Sequence, residues 1–222
     1  MLPRERSPKT SRVKLIDRLE LLAFHGRRIE GVWVGGLDKN SPGWRAIEDA
    51  LLLIKQCDHV RFNRLERDLE RVWIRILPSS LGAFNASLKA CELDERFVLT
   101  HASNPEFIAA AIVHEATHAR LWSYGIGYEE SIRVRVEAVC FRRERAFAAR
   151  LPNGEQIRAQ AEAYLAHYSS ETWTDAAMRA RFEEGAAQVL RDLGQPEWLI
   201  RFAFRFNAQW RRFVGLFRPG KP

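Results

Sequence analysis

The sequence predicts an α+β protein: a small, mostly antiparallel sheet packed on one central helix, followed by a helical C-terminal half. Three observations predict it. Runs rich in β-branched and aromatic residues stand only in the first half, and apolar residues recur at helical spacing through the second. Between them lies a well-capped apolar segment, AAAIVHEATHARLWSYG at 109–125, long enough to cross a domain as a helix.

Taken in order, residues 11–24 place Val13, Leu15, Ile16, Leu19, Leu22 and Ala23 at helical spacing, so a first helix is expected there. RRIEGVWVGG then alternates and ends in paired glycines, the pattern of a short strand. SPGWRAIEDALLLIKQC opens with Ser41 as N-cap and Pro42 at the first helical position, and stays helical to Cys57. Residues 59–70 read as an amphipathic helix, and Val72 to Leu77 as a strand stopped by Pro78. AFNASLKACEL alternates Phe84, Ala86, Leu88 and Ala90 on one side, and RFVLT reads as a further short strand. Two or three strands thus precede the central helix. Ser103 or Asn104 caps that helix, with Pro105 in its first turn and a capping box between Ser103 and Glu106; Gly125 and Gly127 end it. A second long helix runs from Glu129 to about Arg150, and residues 155–169, 171–193 and 196–215 follow as helices. The expected organisation is an N-terminal extension over 1–25, a core over 26–152 and a helical region over 153–222.

Composition narrows the function classes. The chain has 222 residues, 46% hydrophobic and 28% charged, the balance of a globular domain. No uncharged apolar run of 18 residues occurs, and the basic, proline-containing start lacks the pattern of a secretory signal. Cys57, Cys91 and Cys140 are odd in number and far apart, as reduced core thiols are, so a cytoplasmic location is expected. The net charge is +7, yet arginines alternate with acids at helical spacing, as in RFNRLERDLERVWIR; solvated helix faces explain them, and nucleic acid is not an expected partner. The denser basic region is the C-terminus. There Trp198, Leu199, Phe202, Phe206, Trp210, Phe213 and Phe217 accompany Arg201, Arg205, Arg211, Arg212 and Arg218. This fits either an amphipathic helix on an anionic membrane or partner protein, or a helix packed on the core.

The central helix carries the chemistry. His114 and His118 are four apart, hence on one face and one turn apart, where both imidazoles reach a single ion. Glu115 then stands beside the ion, placed to take a proton from a water that the ion activates. Chance supplies HExxH in roughly one such chain in a hundred. A catalytic zinc takes three protein ligands and keeps one position open. Glu129, Glu130 and Glu137 are the candidates for the third. Residues 119–136 give enough chain for an antiparallel helix to bring Glu137 back over the ion. Val134, Val136, Ala138, Val139, Cys140 and Phe141 surround Glu137 with apolar groups, among which an unpartnered carboxylate is costly. Glu129 and Glu130 stand at a helix start, where the helix dipole alone favours acids. Cys140, one turn from Glu137, is the nearest source of a fourth donor.

HEATH followed at this distance by EAVC resembles the gluzincin metallopeptidases. The resemblance covers residues 97–141 at most, and the spacing looks like that of the aminopeptidase branch. It implies a zincin-like core with His114, His118 and Glu137 as ligands of one Zn2+ and Glu115 as general base. It also implies that the strand before the motif helix, here RFVLTHA, lines a substrate cleft by edge pairing. The residues after His118, ARLWSYG, do not continue as HxxGxxH, which excludes the metzincin arrangement, and no GxMEN-like exopeptidase motif lies upstream. Peptide-bond hydrolysis is the expected reaction and a peptide or protein the expected substrate. Tyr124, Tyr128, Tyr164, His167 and Tyr168 are candidate oxyanion donors, and His101 is expected to be a loop residue outside the ligand set. The competing reading is a catalytically inactive interaction protein of the same fold, associated with a membrane surface or nucleic acid. Glu115 discriminates between them, since a structural site needs ligands but not that carboxylate.

Overall fold

A two-residue turn starts the sheet. In the computed structural model, which describes residues 25–36, 38, 40–167 and 170–216 (the side chains of 170 and 207–216 excepted), RRIEGVWVGG is not one strand but parts of two. β1 (His25–Ile29) and β2 (Val32–Gly36) pair antiparallel. Glu30 and Gly31 turn between them with φ of 49° and 82°, the positive values that a tight hairpin requires and that glycine supplies without strain. The helix expected over residues 11–24 lies outside the described residues.

The chain then crosses back through α1 (Gly43–Cys57) and α2 (His59–Asp68). Pro42 occupies the cap position of α1 rather than its first turn, while Ser41 Oγ accepts from the Gly43 N–H at 3.2 Å. This helical crossover returns β3 (Arg71–Arg75) parallel to β2. β4 (Gly82–Asn85) and β5 (Ala90–Asp94) form a second hairpin, with β5 parallel to β3 and β4 antiparallel at the edge. The five strands lie in the order β1-β2-β3-β5-β4. The sheet is therefore mixed, which corrects the expectation of a mostly antiparallel one.

Two local expectations also fail for identifiable reasons. The alternation in AFNASLKACEL is broken by a turn, because Asn85 Oδ1 accepts from the N–H of Ser87 at 3.1 Å and Lys89 takes a φ of 46°. RFVLT is not a strand but part of α3 (Glu95–Thr100), whose start is fixed by Asp94 accepting from the N–H groups of Arg96 and Phe97.

The motif helix is α4 (Pro105–Ser123). Asn104 is its cap residue without a side-chain cap bond; Glu106 accepts from Asn153 Nδ2 at 3.0 Å rather than closing a box with Ser103. At the far end Ile126 N donates to Leu121 O and Gly125 N to Trp122 O, with Gly125 at φ 77°, the paired bonds of a Schellman stop. α5 (Glu130–Ala148) and α6 (Glu155–Ala166) follow, then a single 3-10 turn (Ser170–Trp173), α7 (Asp175–Asp192) and α8 (Glu197–Leu216). The C-terminal half is helical, as expected.

The pleat explains which sheet face meets the helices. Val32, Val34, Val72, Ile74, Cys91 and Leu93 join Ile108, Ile112 and Val113 of α4 in one core, which runs on to Phe147, Leu151 and Ile157. Each such aliphatic side chain contributes about 1.5–3 kcal/mol when fully buried. The alternate residues Trp33, Trp73 and Ala90 form a small cluster on the other face. α4 is thus pinned on its apolar side, and its histidines face α5. Among the described residues no helix is long and apolar enough to cross a membrane.

Candidate metal centre

Spacing on α4 puts His114 and His118 on one face, with ring centroids 5.2 Å apart. The Schellman stop and the short link to Glu129 send α5 back along α4. Contacts run from His118–Tyr128 to His114–Phe141 and His114–Glu144, the order of antiparallel helices. Glu137 arrives between the two imidazoles: Oε2 lies 3.3 Å from His114 Nε2 and Oε1 lies 3.4 Å from His118 Nε2. Glu137 is 4% exposed, so its carboxylate is withdrawn from water and rests on these partners.

Two further side chains on α5 complete the surroundings. Glu144 Oε2 lies 2.8 Å from His114 Nδ1, which fixes that ring and directs Nε2 toward Glu137. The Cys140 Sγ is buried, and it and one ring nitrogen from each of His114 and His118 all lie within 4.8 Å of one another. Glu144 was not among the expected residues. Its signal was present: 137, 141 and 144 fall on one helical face, two turns in all.

Tyr128 packs against the cluster, donating its hydroxyl to Glu137 Oε1 and meeting the His118 ring edge-on at 5.4 Å. Arg133, itself buried, holds it there: the guanidinium stands 5.0 Å over the Tyr128 ring and donates to the Tyr128 carbonyl at 3.2 Å and to Asp175 Oδ1 at 2.6 Å. The start of α7 is thereby tied to the centre. Of the other aromatic candidates, Tyr124 is exposed and bonded to Arg120, Tyr164 stacks on Phe141 at 4.6 Å, and His167 is exposed with Nδ1 on Ala163 O. Tyr168 lies outside the described residues. His101 packs between the Phe97 and Phe107 rings, apart from the centre. Glu130 accepts from the Asp175 N–H, and Glu129 is the cap residue of α5.

Glu115 is 7% exposed. The edge strand passes close by: a methyl group on Gly82 would stand 3.0 Å from Glu115 Oε1. The segment beside this carboxylate is therefore β4, and RFVLTHA, being helical, does not offer the edge expected of it.

The electrostatics follow from burial and proximity. Burial, helped by the Glu137 and Glu144 charges, raises the Glu115 carboxyl above its ordinary range, and the two histidines only partly offset this. For Glu137 burial also acts upward, but the hydrogen bonds from His114 and His118 win and hold it well below the usual carboxylate range. For His114 burial acts downward, yet the bonds to Glu137 and Glu144 raise it to about 10. Burial pushes the Cys140 thiol up, helped by the Glu137, Glu115 and Glu144 charges. Without an ion, the cluster thus compensates its carboxylates by protonating an imidazole. A divalent cation in place of that proton satisfies the same charges, and two imidazoles with a carboxylate suit zinc.

Comparison of this chain with protein families, curated proteins and solved structures finds no match, so the chemistry is read from the site's own geometry.

Proposed function

We propose that this chain is a zinc-dependent metallopeptidase of gluzincin type, in which His114, His118 and Glu137 hold one Zn2+ and Glu115 is the general base. The observation that carries the reading is donor spacing. Four donors at zinc-bond lengths in a tetrahedron stand about 3.3 Å apart. Glu137 Oε2 lies 3.3 Å from His114 Nε2 and Oε1 3.4 Å from His118 Nε2, so each carboxylate oxygen stands one such edge from one imidazole. Three such protein donors leave one position for water or substrate.

When bound, zinc supplies the positive charge that polarises a peptide carbonyl and acidifies a water. Glu115, whose buried carboxyl has a raised proton affinity, takes the proton from that water and hands it to the leaving amine. β4 is the edge strand of the sheet, with Gly82 beside Glu115; an extended peptide pairs along it, its scissile bond directed at the centre. Glu144 holds His114 by Nδ1, leaving Nε2 for the ion. The substrate is a peptide or protein in the cytoplasm, a location that the three free thiols suit. Peripheral contact with an anionic membrane is assigned to α8, on which Trp198, Phe202 and Phe206 are exposed.

Elemental mass spectrometry on the purified chain tests the centre. One zinc per chain is expected in wild type, with loss in His118→Ala and in Glu137→Ala. Wild type without metal, and without uptake from added zinc, would overturn the peptidase reading and favour the interaction protein.

A further inference from the structure

The buried thiol of Cys140 lies beside the imidazoles, although three donors already complete the set that hydrolysis requires. Three atoms no more than 4.8 Å apart share a central point about 2.8 Å or less from each, within about 0.5 Å of a zinc–sulfur bond and about 0.8 Å of a zinc–nitrogen bond. The thiol and Glu137 are three residues apart on α5, so both project from the same side of the helix toward the histidines. It forms no disulfide and is fully enclosed; what sets it apart from an ordinary core thiol is its nearness to both imidazoles.

Resting on the metal-centre reading above, we propose that the Cys140 sulfur is the fourth protein ligand of the resting centre, so that the centre is closed and the enzyme latent until the sulfur is displaced. In forming this bond the S–H bond breaks, a sulfur–metal bond forms and the proton leaves to solvent; no electron changes hands. Opening reverses the step, as water or a substrate carbonyl takes the vacated position and the sulfur regains a proton. Closure of this kind gives a cytoplasmic peptidase a restraint built into its own ligand helix, released by an extended peptide docked on β4 rather than by a separate inhibitor.

Cobalt(II) distinguishes the outcomes, because a thiolate on cobalt gives a near-ultraviolet charge-transfer band, whereas imidazole and carboxylate ligands give only weaker visible bands. The full metal-free chain is titrated with cobalt(II) as wild type, Cys140→Ser and Cys140→Ala, two variants so that a folding defect in one does not decide the matter. Wild type is expected to show both sets of bands at one cobalt per chain, and the variants the visible bands alone. Acetohydroxamate, a small chelator that needs an open position, is expected to perturb the visible bands of Cys140→Ala at about tenfold lower concentration than those of wild type, a difference of about 1.4 kcal/mol. Visible bands in wild type without the charge-transfer band would overturn the ligand assignment while leaving the centre standing. A charge-transfer band that survives both substitutions would do the same, and equal chelator concentrations would overturn the closure. No cobalt bands of either kind would overturn the metal centre itself, and the proposal with it.

Discussion

Helices α4 and α5 bury what proteins normally leave in water, and helix α8 exposes what they normally bury. Between α4 and α5, Glu115 and Glu137 are enclosed beside two imidazoles and Cys140. On α8, Trp198, Phe202 and Phe206 are 69%, 61% and 55% exposed, with the Phe202 and Phe206 rings stacked against each other. A buried polar group and an exposed apolar stripe are the two observations that burial rules mark as informative. Each is costly in isolation, and the two proposals above give each a partner: a cation in one case, an anionic membrane surface in the other. The regions differ in how far their own residues define the partner. The α4–α5 centre holds its polar groups in specific contacts, with the Glu137 oxygens 3.3 and 3.4 Å from the two imidazoles; the α8 stripe is defined only by composition and exposure.

That contrast breaks most sharply at Glu115. Glu115→Gln keeps the shape of the side chain and touches none of the proposed ligand bonds, so zinc content is expected to stay at wild-type level. Peptide hydrolysis is expected to fall about 10²–10⁴-fold, the usual contribution of a positioned base. Single-turnover rates with equal metal loading check this; full activity in the variant would remove the base assignment and leave α4–α5 as a structural site.

A smaller effect is expected one shell out. Glu144→Gln preserves a hydrogen bond to His114 Nδ1 but removes its charge, which is expected to weaken zinc about 10–100-fold, within the range seen for such outer partners. Competition with a chromophoric chelator reads this directly. Unchanged affinity would mean that the 2.8 Å contact is packing and not orientation.

In the metal-free chain a proton on His114 balances the carboxylates, and this sets a pH dependence. His114 is raised from 6.5 to about 10 in the folded state, so the stability it contributes is fully present below pH 6.5 and lost as pH rises through about 10. The Tm of the metal-free protein is expected to fall across that window by more than the roughly 2–4 °C that 1 kcal/mol represents at this size. With zinc bound the imidazole is unprotonated throughout, and the decline is expected to vanish over the same window. A metal-free Tm that is flat between pH 6.5 and 10 would mean that the imidazole does not carry the compensating charge.

How much of this was legible in the sequence differs between the same two regions. The HEATH spacing is local, and helical period alone puts His114 and His118 together; Glu137 followed from counting chain to an antiparallel return. Glu144 shares the face of Glu137 by helical period, but it stands seven residues further on, and whether it reaches His114 depends on how closely α5 packs along α4, a tertiary fact. The RFVLT segment was misread because five apolar-rich residues satisfy the strand and helix periods alike, and the acceptor of the deciding bonds, Asp94 to the N–H groups of Arg96 and Phe97, stands two residues before it. Sheet direction was not legible either. β2 and β3 run parallel because α1 and α2 carry the chain back between them, and the pattern within a five-residue strand is the same for both directions. For α8, the sequence left packing and exposure equally open. Ile200 is 2% exposed while its neighbours Trp198 and Phe202 are not covered, so one edge of the helix is held and the aromatic stripe is turned outward; Trp210, Phe213 and Phe217 lie outside the described side chains.

The smallest effect on the folded molecule is expected from this outward stripe, and that is what makes it a test. Replacing Trp198, Phe202 and Phe206 together by Ala removes side chains that contribute little to the core, so stability is expected to change by no more than about 0.5 kcal/mol per site, with zinc content unchanged. Partitioning onto vesicles rich in phosphatidylserine is expected to fall, since aromatic groups entering the interface supply the apolar gain while Arg201 and Arg205 each add about 1 kcal/mol near an anionic surface. Raising the salt should weaken wild-type partitioning, because the arginine contribution is screened over about 8–10 Å at ordinary ionic strength. If the triple variant instead loses several kcal/mol of stability and binds vesicles as wild type does, the stripe is covered by protein in solution. The two regions would then no longer be opposites: both would be surfaces that the chain satisfies internally, one with a proton and the other with its own apolar residues.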